Sequence, residues 1–92
     1  MAKTTHGTLT AGAVTSVSIT PGNEGIVVVN RDLAGTIWVR IDGVDPQIGG
    51  DGSYVIFGAR EFPMSLTEVR KQTVNVRLIS DAGRKYSVEA IQ

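Results

Sequence analysis

Strict alternation of apolar and polar side chains runs through most of this chain, and no other feature narrows its fold so far. A period of two places successive side chains on opposite faces of an extended backbone, whereas a helix needs a period near 3.6. In Val14 to Ile19 (VTSVSI), Thr15, Val17 and Ile19 share one face and Ser16 and Ser18 the other. Thr36 to Ile41 (TIWVRI) sets Ile37, Val39 and Ile41 against Trp38 and Arg40. Val74 to Ser80 (VNVRLIS) aligns Val74, Val76 and Leu78, and Tyr86 to Ile91 (YSVEAI) aligns Tyr86, Val88 and Ala90. Gly25 to Asn30 (GIVVVN) is continuously apolar and β-branched, the pattern of a strand buried on both faces. Ser53 to Phe57 (SYVIF) is a further strand.

Turn residues punctuate these runs: Pro21-Gly22-Asn23, Arg31 to Gly35, Gly58-Ala59 and Asp81-Ala82-Gly83. Arg60 to Thr67 is the ambiguous stretch. Pro63 bars a central strand there, and Ser65-Leu-Thr-Glu68 fits a helix capping box, but only about one turn could follow. An edge strand plus a turn is the favoured reading. The fold class is therefore all-β: a small β-sandwich or barrel of six or seven short, mostly antiparallel strands. The expected core comprises Val17, Ile19, Val27, Val29, Ile37, Val39, Ile41, Val55, Val76, Leu78, Tyr86 and Val88.

The first twelve residues break the pattern. They are threonine-rich, and Lys3 is the one fixed charge before Glu24. They divide the chain into an N-terminal arm, 1–12, and a single β domain, 13–92. The arm is either a frayed terminus or a segment that orders only on assembly, by adding a strand to a partner's sheet edge.

Composition excludes several functions. With 92 residues the chain makes one domain with a small core. It has no cysteine, hence no disulfide and no thiolate chemistry, and oligomerisation is the remaining common route to extra stability. Its lone histidine, His6, rules out a multi-histidine metal site. Nine basic and nine acidic side chains give zero net charge, which argues against nucleic acid. No apolar run approaches the roughly 20 residues of a membrane span, and the N-terminus lacks the apolar centre of a signal peptide, so synthesis in the cytoplasm is expected. Asp42, Asp45 and Asp51 lie in a segment without Lys or Arg, while basic residues gather later; these are either scattered solvated charges or complementary patches of a symmetric assembly.

The segment Asp42 to Ser53, rich in glycine and aspartate, is the one stretch that suggests ligand chemistry. Its aspartates do not fall at EF-hand spacing and no glutamate closes the loop. Gly49-Gly50-Asp51-Gly52 precedes a strand and lacks a following Lys-Ser or Lys-Thr, so it is no phosphate loop. A shaped connection is the better reading, with a looser calcium site behind it. No nucleophile elbow accompanies His6. Trp38, which points away from Ile37 and Val39, packs under a second covered face, anchors a protein interface or stacks on a sugar. No enzyme activity and no cofactor are expected.

Four phrases together carry a family resemblance: Ile26 to Arg31, Thr36 to Gly43 (TIWVRIDG), DPQIGGDGSYVI and VNVRLISDAGRKYSVEAI. Over roughly residues 25–91 the chain resembles small β-rich virion proteins of tailed bacteriophages. The resemblance implies a structural role in the virion, most of all a capsid decoration protein that binds the assembled head lattice, made in the cytoplasm of a bacterial host. Its partner would be the major capsid protein or another virion protein, and a homo-oligomer is expected, with a trimer as the first guess. The alternatives are a tail or connector accessory protein and a carbohydrate- or host-surface-binding module. Candidate interface residues are Thr4, Thr5, His6, Thr8 and Leu9 in the arm, together with Trp38, Asp42, Asp45 and Asp51.

Overall fold

A computed structural model of the chain describes residues 4–50, 53–65 and 72–91. Among them are eight strands: β1 (Thr4–Thr8), β2 (Thr15–Ile19), β3 (Gly25–Asn30), β4 (Thr36–Arg40), β5 (Tyr54–Phe57), β6 (Glu61–Met64), β7 (Val74–Ile79) and β8 (Lys85–Ile91). They form two four-stranded sheets, A in the order β1-β8-β3-β6 and B in the order β2-β7-β4-β5. Every paired neighbour is antiparallel.

The topology follows from one long folded ribbon. Strand β4 pairs β5, β3 pairs β6, β2 pairs β7 and β1 pairs β8, as in a single hairpin bent back on itself. Wrapping the ribbon adds the β3–β8 and β4–β7 pairs that complete each sheet. Only the β4–β5 connection stays within a sheet; every other one crosses from A to B or back. Eight strands in two such sheets make a jelly roll.

The two inner faces meet over an aliphatic core. Sheet A contributes Ile26, Val28, Met64, Tyr86, Val88 and Ala90; sheet B contributes Val17, Ile19, Ile37, Val39, Ile56, Val76 and Leu78. Ile41, Tyr54, Phe62 and Val74 pack against its margin. The Tyr54 and Phe62 rings, 4.7 Å apart, close the side where β5 and β6 approach.

Three expectations change here. The arm is the eighth strand: Thr4–Thr8 pairs β8 within its own chain, and the following Leu9 is only 2 % exposed and joins the core. Its polar side chains gave no apolar face to read, yet β8 supplies the backbone partners. Gly7 in this strand makes room for Tyr86 across the ladder, because a Cβ there would stand 2.6 Å from the Tyr86 hydroxyl oxygen. The core-cluster facing of β3 is shifted by one residue, to Ile26 and Val28, with Val29 half-buried on the other side; Val27 lies outside that cluster but is only 8 % exposed, as expected of a strand covered on both faces. The same shift affects β5, where Ile56 is buried and Val55 lies on the outer face at 40 % exposure. Both runs are uniformly apolar, so neither carries a phase. The edge strand β6, with Pro63 inside it, forms as expected; the capping-box reading falls largely on residues outside those described.

Two details fix the ends of the sandwich. Gly25 has φ 99°, and a Cβ there would collide with the Met64 carbonyl oxygen on β6, so glycine is required twice over. At the opposite end Asn30 is fully buried. Its amide nitrogen donates to the carbonyls of Ile56 (3.1 Å) and Gly35 (3.4 Å), and its carbonyl oxygen accepts the Asp32 N–H at 3.1 Å. One side chain thereby ties sheet A to the edge of sheet B and shapes the β3–β4 turn.

Candidate functional site

The candidate residues separate onto two surfaces. Thr4, His6 and Thr8 occupy the outward positions of β1, the edge strand of sheet A, while Thr5 is half-buried toward the interior. The His6 Nδ1 accepts a hydrogen bond from the Arg31 guanidinium at 3.2 Å, which fixes the ring against the sheet rather than presenting it as a base. Leu9 is removed from the list of interface residues, since its side chain is core. What β1 offers a partner is its second edge, which no strand among the described residues covers.

Trp38, Asp42 and Asp45 belong to the other surface, the outer face of sheet B; Asp51 lies outside the described residues. Inward Ile37 and Val39 force Trp38 and Arg40 outward. Arg40 faces Arg77 across the β4–β7 ladder, two like charges in direct opposition. The 41–53 connection resolves this conflict. Its Asp42 accepts from Arg40 Nε at 3.0 Å, and its Asp45 accepts from Arg77 Nη1 at 2.7 Å. Asp42 also receives the Val44 N–H at 3.2 Å, an Asx turn that starts the loop. The Arg40 hydrogen bond, aided by the Val44 N–H, holds the Asp42 carboxyl down at about 2. These aspartates therefore serve as counterions that lay the loop on the sheet. They do not form the free acidic patch that the charge distribution suggested.

Beside the ion pairs, a recess of about 350 Å³ is lined by Arg40, Val44, Asp45, Gln47 and Gly50. Among the described residues no three acidic, histidine or cysteine side chains gather as a metal site would require. No helix among them is long and apolar enough to cross a membrane.

The β4–β5 side of this face is largely apolar, and of it sequence reasoning found Trp38 alone; the β2 side is polar, with Ser16 and Ser18 hydrogen-bonded to Asn75. The ladder places Ile79 beside Trp38 and Trp38 beside Val55, with Phe57 two residues further along β5. Phe57 is 63 % exposed. Leu33, in the β3–β4 turn, is 91 % exposed. The Leu33–Ala34 backbone rests against Gly58, where a Cβ would meet Ala34 at 2.6 Å, so Leu33 and Phe57 sit at the same end of the molecule. The Ala59 N–H donates to the Asp32 carbonyl at 2.6 Å and the Asn30 N–H to the Arg60 carbonyl at 2.9 Å, which ties the two turns together. Besides the outward Trp38, a leucine inside an Arg-Asp-Leu-Ala-Gly turn was the available signal for this surface.

No described protein family matches the chain, and no curated protein matches it. Among solved structures it is similar to a de novo designed double-stranded β-helix determined by solution NMR. The TM-score is 0.57 and the identity 15 %, covering 94 % of this chain and 95 % of that one. Similarity over nearly both full lengths at so low an identity concerns the fold alone, and it agrees with the two-sheet strand order above.

Proposed function

We propose that this chain is a non-enzymatic structural protein of a virion, of the capsid decoration type, that works by binding an assembled protein lattice. One observation carries the reading. The described polar candidates His6, Asp42 and Asp45 are engaged within the fold, while large apolar side chains stand exposed on one face. Asp42 and Asp45 neutralise Arg40 and Arg77, and His6 is held by Arg31. Leu33, Val55 and Phe57 remain in solvent. Exposed apolar groups on a pinned scaffold suit protein contact, because little ordering entropy is lost on docking. The resemblance of residues 25–91 to phage virion proteins supplies the setting. The jelly roll recurs in viral capsid domains, which supports the reading by analogy of fold only.

Two surfaces are open to protein contact, the edge of β1 and the outer face of sheet B. The β1 edge would bind by strand addition, through main-chain hydrogen bonds with little dependence on salt. The test is re-addition of purified protein to virions prepared from a phage lacking its gene. Saturable co-sedimentation at a fixed ratio to the major capsid protein is expected. Protein that stays in the supernatant at every concentration rejects the proposal.

The recess beside Arg40 favours one second reading. Its lining supplies carboxylate, amide and guanidinium groups that suit sugar hydroxyls, and Trp38, outside that lining, stands two residues from Arg40 on the same face of β4. A glycan array separates the two: specific glycan capture without particle binding selects the carbohydrate module.

A further inference from the structure

We propose that the outer face of sheet B is covered by a second copy of this chain, with β4 and β5 of one copy packed on β4 and β5 of the other about a twofold axis. This rests on the reading above that the face is for protein contact, and it names the partner.

The two outer faces of the sandwich differ in kind. On sheet A the outward positions include Thr4, His6, Thr8, Glu61, Lys85 and Glu89, so charges interrupt Val27 and Val29. On sheet B the β2 side is polar, with Ser16, Ser18 and Asn75, but the β4–β5 side sets Trp38, Val55 and Phe57 together against the buried Ile79, with Leu33 at one end. Val44, itself 51 % exposed, lies beside Arg40 at the other end.

The size of this surface fits a dimer. The exposed parts of Leu33, Val44, Val55 and Phe57 come to roughly 400 Å² of apolar area, at the scale of the largest patches on ordinary monomers and often functional. A standard interface covers about 800 Å² per partner, of which a little over half is apolar. The patch supplies nearly that apolar share, and its polar rim supplies the remainder.

Charge selects the occupant. An isologous interface brings each group toward a copy of its own surface, so unbalanced charge on the face would repel itself. Here Arg40 and Arg77 are each neutralised within the chain, by Asp42 and Asp45. The face can therefore meet its own image without like-charge repulsion. A lattice partner of different sequence sets no such condition and would be aided by a net charge that steers encounter. Two copies meeting over the part of the sheet that the 41–53 connection leaves open would bury Trp38 and Phe57 near the axis.

The test is sedimentation equilibrium from about 1 µM to 1 mM on the full chain. It is repeated for Phe57→Asp and Val55→Lys, with circular dichroism and thermal melting to confirm that each variant folds. Particle co-sedimentation is run in parallel. The proposal expects twice the monomer mass at high concentration, a blue shift of Trp38 emission that follows the same concentration curve, and at least a tenfold weaker association in each folded variant. A chain that is monomeric throughout overturns it. So does an oligomer untouched by both substitutions, which would locate the contact elsewhere, such as the β1 edge. If the wild type is monomeric and Phe57→Asp abolishes particle binding, the face belongs to the lattice; the dimer is then overturned while the virion role stands. Dimerisation lost in both variants, in a protein that binds no particle, supports the dimer and rejects the virion role.

Discussion

Asn30 offers the most demanding test of how the sandwich is held shut. The side chain is fully buried and makes all three of its hydrogen bonds to backbone groups on other residues. Replacing it with alanine leaves the Ile56 carbonyl and the Asp32 N–H without those partners. Each orphaned buried group costs about 1–3 kcal/mol, less where water can enter, so a total loss of about 2–4 kcal/mol is expected. A domain of this size has about 5–10 kcal/mol of stability to lose. With a urea slope near 1 kcal/mol per molar, the midpoint should fall by about 2–4 M. Asn30→Leu keeps the branched shape at somewhat greater bulk and removes the bonds, so it should lose as much as Asn30→Ala. Asn30→Asp keeps an acceptor for Asp32 but turns a second oxygen toward two carbonyls, and should be the least stable of the three at neutral pH. The measurement is equilibrium urea unfolding followed by Trp38 fluorescence and circular dichroism together. If Asn30→Leu unfolds within about 0.5 kcal/mol of wild type, the hydrogen bonds are not what holds this end, and the reasoning fails.

Other outcomes follow from the same geometry. Ile56→Ala should cost about 2–4 kcal/mol in the monomer and Val55→Ala under about 1, although the two are adjacent; equal losses in a dilute urea titration would show the facing of β5 to be wrong. Asp42 has its carboxyl lowered by Arg40, so its contribution is present above the ordinary value near 4 and is lost as pH falls toward about 2. The stability difference between wild type and Asp42→Asn should therefore shrink across that window in pH-dependent urea titrations, and a difference unchanged from pH 6 to pH 2 would contradict the ion pair. Thermal melts in chelator and in millimolar calcium should coincide, because Asp42 and Asp45 are engaged by arginines; a calcium-dependent rise abolished by Asp45→Ala would revive the calcium site.

Alternation located β2, β4, β7 and β8, continuous apolar runs located β3 and β5, and together they established that this chain is all-β. It also gave the correct facing wherever polar residues marked the outer side, as in Val17 and Ile19, Ile37 and Val39, Val76 and Leu78, Tyr86 and Val88. Glycine and proline marked the turns, because backbone angles are a local property. Where a run was apolar throughout, as in Gly25–Asn30 and Tyr54–Phe57, the sequence held no phase, and only the position of each strand in its sheet decided which residues face the core. Strand β1 shows the converse. Its threonines, histidine and glycine carry no burial signal, and it exists because β8 has an edge to pair and Tyr86 fills the space over Gly7. The functional surface was the least legible part. Trp38 pointed to it, but its extent depends on three segments far apart in sequence, the 31–35 turn, β5 and β7, which wrapping of the ribbon brings to one side. The counterions of Arg40 and Arg77 were equally hidden. A sequence gives the count of charges, but which aspartate meets which arginine depends on distances of a few ångströms, and those are fixed only when the 41–53 connection lies down on sheet B.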